Sequence, residues 1–282
     1  MKEIFDEVSL KCSEITTKRY STSFSLGIKL LDKSIHNPIY SIYGFVRLAD
    51  EIVDSFHEFE KKNLLLKFKE DTKKSIADKI SLNPILNSFQ NVVNKYNIEW
   101  EHIEHFLQSM EDDLDIKKHD EKSYKKYIKG SAEAVGLMCL KVFCNNNSLL
   151  YNELKQYAIN LGSVFQKVNF IRDISADYHG LKRVYFPNLE IDNFNEREKE
   201  KIETDIENEF QSALIGIKKL PASSKKGVFL AYTYYYSLFE KIKATPASKV
   251  MTKRIRIPDF LKILVLIKVE FKSFFGLISK KY

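Results

Sequence analysis

"SIYGFVRLADEIVDSF", residues 41–56, poses the question on which the fold turns. Ile42, Phe45, Val46, Leu48, Ala49, Ile52 and Val53 suit a protein core, yet Arg47, Asp50, Glu51 and Asp54 share the same few turns. Charges are rarely buried without partners, because desolvating them costs several kcal/mol each. At 100° per residue, Tyr43, Arg47, Asp50 and Asp54 fall within an arc of about 60° on a helix that is otherwise apolar. A solvated face usually spreads Lys and Glu over a broad arc; here one Arg, one Tyr and two Asp stand in line. Taken alone, this stripe fits a surface stripe or an internal ion pair as well as a site.

A second stretch, "GSVFQKVNFIRDISADYHGLKRVYFP" (162–187), repeats the pattern. Gln166, Asn169, Asp173 and Asp177 recur at three- and four-residue steps within an arc of about 80°, with Val168, Ile171 and Ile174 on the other side. Two D-x-x-x-D stripes, 50/54 and 173/177, thus lie on separate helices. If they face each other, four carboxylates crowd one space and repel unless cations intervene. Sparse hard oxygens from Asp and Asn suit Mg²⁺, which keeps waters and completes its shell with phosphate oxygens. The pair therefore predicts a diphosphate held between two aspartate helices through Mg²⁺.

Outward from these stripes the 3.6-residue period continues almost everywhere, without a βαβ pattern or an internal repeat. Nine Gly and six Pro in 282 residues leave little punctuation. Breaks at 31–38, 81–84, 116–121, 144–148, 178–188, 220–227 and 244–248 separate roughly ten helices, read here as one all-α domain over residues 1–282. The net charge of +7 is spread through mixed Lys and Glu, which hints at anionic ligands or a membrane surface and argues against nucleic acid. Three cysteines without a CxxC pair fit a reducing compartment. The N-terminus carries acids and lacks the apolar run of a signal peptide. No uncharged stretch reaches the roughly 18 residues of a spanning helix. These features predict a cytoplasmic protein.

The motifs resemble those of the squalene and phytoene synthases, the head-to-head trans-prenyltransferases. "SIYGFVRLADEIVD" is similar to that family's first Asp motif, and "QKVNFIRDISADYHGLKRVYFP" to its Q-x-x-N-x-x-R-D-x-x-x-D followed by an Arg-x-Tyr-x-Pro loop. "YSTSFSLGIKLL" (20–31), "MEDDLDIKKHDEKSYKKYIKGSAEAVGLM" (110–138) and "KRIRIP" (253–258) resemble supporting segments. Glu51 stands where many members have Asp, and "DLDIKKHDE" is richer in Lys than the usual form.

The resemblance implies an α-helical bundle of the prenyl-synthase type with a central cavity that binds two allylic prenyl diphosphates. They would condense through a cyclopropylcarbinyl diphosphate, most simply two C20 units giving phytoene without NADPH, or two C15 units giving a squalene-type product. Asp50, Asp54, Asn169, Asp173 and Asp177 would bind Mg²⁺, with Mn²⁺ as a substitute. Arg47, Arg172, Arg183 and Lys182 would contact diphosphate; Tyr43, Gln166 and Tyr185 would orient groups near the reacting carbons; Ser21, Ser23 and Phe24 would contact substrate. A non-catalytic relative acting in assembly or binding is the alternative from another class, and loss of motif aspartates, which are all in place, would mark it. The Gln-Asn stripe and the Arg-x-Tyr-x-Pro loop weigh against a terpene cyclase or head-to-tail synthase.

Lesser features have plainer readings. "EHIEHF" places His102 and His105 as a surface pair. "MEDDLD" (110–115) reads as helix-end solvation, although the family's acidic turn keeps Asp112 and Asp113 of interest. "YTYYY" (232–236) reads as aromatic packing, Cys139 and Cys144 as core, and "NEREKEKIETDIENE" (195–209) as a solvated helix face. In "HGLKRVYFP", Gly180 is expected to end the second Asp helix. Residues 258–282 carry Phe and Ile beside an imperfect arc of lysines. They read either as a buried closing helix or as a peripheral anchor on anionic membrane.

Overall fold

The computed structural model describes residues 1–116, 118–187, 189–190, 193–258 and 269, without the side chains of Thr22, Ser23 and Leu181. Its elements are helical. The first half holds α1 (Lys2–Tyr20), α2 (Thr22–Lys29), α3 (Lys33–Asp54), α4 (Lys61–Asp78), α5 (Pro84–Tyr96) and α6 (Trp100–Asp115). The second holds α7 (Glu121–Ile128), α8 (Ala134–Cys144), α9 (Ser148–Ala176), α10 (Glu196–Lys219), α11 (Ala222–Lys243) and the single turn α12 (Ala247–Val250). Wider π turns join α7 to α8 (Lys129–Glu133) and extend α9 (Asp177–Leu181). All-α architecture is as expected. The helices described number twelve rather than ten, partly because Ser21 caps α2, accepting from the Phe24 amide at 3.3 Å, and so divides it from α1.

Two expected breaks shrink for similar local reasons. Asp32 accepts from the Ser34 amide at 2.9 Å and starts α3 at Lys33, inside the stretch 31–38, with Pro38 carried within the helix. Likewise α11 begins directly after Pro221. Other ends follow the sequence: Asn83 caps α5 with Pro84 at its first position, where a missing N–H costs nothing, and Asn147 caps α9. Gly180 is not the residue that turns α9. Lys182 takes the left-handed conformation there, φ 57°, and the Arg183 amide returns to the Asp177 carbonyl at 2.9 Å.

The core forms on both sides of the aspartate helices. Behind α3, Phe45 is fully buried and stacks on Phe89 at 3.9 Å and on Phe68 at 5.5 Å. α1 presses its small polar face onto α3 and α5. Ser13 and Ser88 hydroxyls lie 2.6 Å apart, and a Cβ on Gly44 would sit 2.8 Å from the Ser13 hydroxyl, so only glycine allows that approach. Behind α9 the contact is ionic: Lys167, buried at its side chain, meets Asp205 and, at 2.9 Å, Glu209 of α10.

Cys139 and Cys144 are buried, as are Tyr232 and Tyr235 of the tyrosine run. Two plainer readings need correction. His102 is no surface residue: it is buried, its ring within 3.1 Å of the Tyr151 hydroxyl, which reaches it from the first turn of α9. The acidic-basic run of α10 is not wholly solvated either, since Lys199 and Glu203 are buried as a 2.7 Å pair. Among the described residues no helix is long and apolar enough to cross a membrane. The stretch 259–282 on which the anchor expectation rests lies, apart from Val269, outside the described residues.

Candidate active site

Between α2, α3, α8, α9 and α11 runs a cavity of about 520 Å³. Most of its wall is apolar, including Phe24, Ile28, Val46, Val135, Leu161 and Phe165. Its polar lining includes Arg47 and Asp50 from α3, Gln166, Asn169 and Arg172 from α9, and Arg254. The α3 helix contributes that edge because its acids sit one turn from Arg47. The guanidinium donates to Asp50 and, at 2.6 Å, to Glu51, while its flat face covers the Tyr20 ring at 4.2 Å. Its Nε is buried and finds no hydrogen-bond partner among the described residues. On α9, Asp173 receives two bonds from Arg172, one at 3.0 Å, and is approached by Arg254 Nε at 2.6 Å. The Tyr235 hydroxyl donates to Asn169 at 3.4 Å.

Beside these groups lies a second constellation, centred on Asp113 of α6. This buried carboxylate accepts the Tyr127 hydroxyl at 2.6 Å and the Tyr185 hydroxyl at 3.2 Å. Arg183 lies 3.7 Å from it and 3.6 Å from Asp54, and donates to the Asp113 backbone carbonyl at 2.8 Å. The loop carrying Arg183 is laid against the α6–α7 connection, where the His119 amide donates to the Val184 carbonyl at 3.2 Å. Arg183 thus joins Asp54 of the first stripe to Asp113, and Asp177 of the second stripe lies within electrostatic reach of all three.

Their electrostatics show the crowding. Burial and the neighbouring Asp54 push the Asp50 carboxyl up to about 6 although Arg47 opposes them. Burial and Asp173 push Asp177 up to about 7 against Arg183. Burial likewise lifts Asp113 to about 6, with Arg183 pulling the other way. Carboxylates that hold protons so far above their usual range are short of positive charge.

Among the described residues no three His, Cys, Asp or Glu side chains are gathered into a ready cation cage. A hard divalent cation does not require one, since it takes one or two carboxylates and draws its remaining oxygens from waters and phosphate. Asp50, Asp54, Asn169, Asp173 and Asp177 supply suitable oxygens, and their mutual repulsion is what such a cation relieves, so the residues fit.

Most expected site residues meet at or beside the cavity. Ser21 lines it but spends its hydroxyl on capping α2. Phe24 lines it against Tyr43, ring centroids 4.8 Å apart. Burial raises the Tyr43 hydroxyl well above its ordinary range. The Ser23 side chain lies outside the described residues. Two residues fall elsewhere. Tyr185 does not line the cavity; its ring stacks on Phe170 at 4.1 Å and its hydroxyl serves Asp113. Lys182 is exposed, its ammonium over Tyr178, because the left-handed turn at 182 points the chain away. Sequence reading did not assign Asp113, Tyr127, Tyr235 or Arg254 to the site. Asp113 was hidden in an acid run at a helix end, and Arg254 in a basic segment far along the chain.

The family model for squalene/phytoene synthase matches residues 17–260. The chain is 25% identical over 199 residues to the 4,4'-diapophytoene synthase of Staphylococcus haemolyticus, covering 69% of this chain and 67% of that protein. It is 26% identical over 168 residues to the presqualene diphosphate synthase of Rhodopseudomonas palustris, covering 59% and 58%. The chain thus spans about three fifths to two thirds of the lengths of these relatives. In fold it is similar to a crystal structure of a dehydrosqualene synthase, with a TM-score of 0.80 at 17% identity over 95% of this chain and 97% of that one.

Proposed function

This chain belongs to the squalene/phytoene synthase family, and we propose that it joins two allylic prenyl diphosphates head to head. The observation that carries this reading is a long apolar cavity closed at one end by Arg47 and Asp50 from one helix and by Arg172, paired with Asp173, from another. Each of the two steps, to a cyclopropylcarbinyl diphosphate and then to the hydrocarbon, releases one diphosphate and one proton when phytoene is formed, so no NADPH is needed. Asp50, Asp54, Asn169, Asp173 and Asp177 would hold Mg²⁺, which supplies positive charge to the departing diphosphate. Arg47, Arg172 and Arg254, aimed into the cavity, take up the same charge and fix the diphosphate's position. Arg183 holds Asp54 near Asp113. Asp113 acts as a positioning residue, because accepting the hydrogen bond from Tyr127 turns that hydroxyl's lone pairs toward the cavity. Phe24, Phe165 and Leu161 exclude water from the carbocation, and Tyr43 and Tyr235 offer it aromatic faces.

The length of the cavity along α9 supports C20 substrates and phytoene. Similarity to a 4,4'-diapophytoene synthase favours the second reading, two C15 substrates. Incubation with Mg²⁺ and each diphosphate separately, followed by identification of the hydrocarbon, decides between them. Excess chelator should abolish the product. Absence of product from either substrate sinks the enzymatic reading in favour of a binding role. A greasy product has no reason to enter water, and contact of residues 258–282 with an anionic membrane belongs to the same proposal; salt-sensitive sedimentation with anionic vesicles, lost on truncation after Pro258, is its test.

A further inference from the structure

The lining of the cavity changes along α9. Arg172 and Asn169 mark its charged end, while Tyr157 lines it fifteen residues earlier on the same helix, about 22 Å away at the helical rise, with Leu154 one turn beyond it at the cavity floor. Between them Phe165, Leu161 and Ala158 form a continuous apolar wall. At the far end α10 passes α9 at Gly216, where an added Cβ would stand 2.2 Å from the Tyr157 Cβ. The tyrosine is therefore seated against bare backbone, and its ring position is set by that contact. On its outer side the Lys219 ammonium lies 5.4 Å from the ring centroid and bonds Glu153 at 2.9 Å. Both ends of that ion pair are solvent-exposed, 44% and 53%. Tyr157 thus stands between an apolar lumen and a solvated surface pair, a position that suits a ring with one greasy face and one wet hydroxyl.

We propose that Tyr157 is a specificity-determining plug: its ring closes the apolar end of the cavity and sets the longest prenyl tail that fits. This rests on reading the cavity as a prenyl diphosphate site. A tail of about C20 reaches the ring; a longer one must lift it off Gly216 and out from under Lys219. The test is binding of non-ionisable C15, C20 and C25 prenyl diphosphate analogues to the full chain, with circular dichroism to confirm folding. The wild type should bind the C25 analogue at least tenfold more weakly than the C20 one. Tyr157→Phe should keep that ratio, and Tyr157→Ala should reduce it to threefold or less. Tyr157→Leu, which keeps apolar bulk with a shorter reach, should also reduce it and decides the matter if the alanine variant fails to fold. Intact binding with the wild-type ratio in the folded variants overturns the plug alone. Failure of the wild type to bind any of the three overturns both this inference and the reading beneath it.

Discussion

The two aspartate helices do the same work on opposite terms. α3 is charged on one side and backed by stacked phenylalanines, and Arg47, which binds Asp50 and Glu51, comes from the same helix. α9 is polar on two sides. Its cavity face holds Asn169 and Arg172, while its back holds Lys167 with Asp205 and Glu209, and its Asp173 leans on an arginine 81 residues away. The pairing of Arg47 with Asp50 and Glu51 is a local construction; the pairing of Asp173 with Arg254 is assembled from distant parts. A helix with a single polar face can be recognised and built alone, whereas a helix with two needs partners before either face is stable.

The largest tests strike the backs of the two helices. Phe45→Ala should cost about 3–5 kcal/mol as a core cavity, equally at pH 5 and pH 8. Lys167→Met should cost about 2–4 kcal/mol by leaving Glu209 buried without its cation, and less at pH 5 than at pH 8, because burial already raises the Glu209 carboxyl above its ordinary range. Denaturant unfolding at both pH values would break the contrast if the two losses showed the same pH dependence. At the front, Asp50→Asn and Asp173→Asn should each lower turnover at least a hundredfold, about 2.7 kcal/mol, with thermal midpoints held. Near-normal rates in both would return the stripes to a structural role.

Arg254→Ala sharpens the same comparison. Asp173 is held by this distant clamp as well as by its neighbour Arg172, so turnover should fall about tenfold, about 1.4 kcal/mol, without loss of fold; unchanged turnover would make the clamp ornamental. The smallest effect concerns Glu133, which burial and the adjacent Glu209 push up to about 7, with Lys167 opposing. Unfolded, it ionises near its ordinary 4.5. Between those values the native state binds more protons, so stability attributable to Glu133 falls as pH rises from 4.5 through 7. The thermal midpoint of wild type relative to Glu133→Gln should drop by about 2 °C between pH 5 and pH 8. Parallel curves would remove the ionic backing of α9 from the account.

The same difference explains what could be read from the chain. The α3 stripe was legible because its period is uninterrupted and Arg47 finds Asp50 and Glu51 within four residues, although Arg183 beside Asp54 comes from far along the chain. On α9 the cavity face was legible, and the back was not, since Lys167 takes its meaning from Asp205 and Glu209 on another helix. Asp113 looked like an ordinary acid at a helix end until Tyr127, Tyr185 and Arg183 surrounded it. Lys182, in contrast, looked like a ligand from its neighbours in sequence, and a backbone dihedral that composition does not disclose turned it outward. All-α architecture was legible throughout, while helix ends moved by a few residues wherever a single cap, such as Asp32 or Ser21, decided them.

Arg254 meets Asp173 across 81 residues of chain. During synthesis at roughly 5–20 residues per second, the second aspartate helix is finished roughly 4 to 16 s before the arginine that balances it exists. For that interval the nascent site holds an excess of acid, and charge balance waits until translation has passed residue 254. A ribosome that stops short of residue 254 releases both aspartate helices with half of the clamp on Asp173 missing.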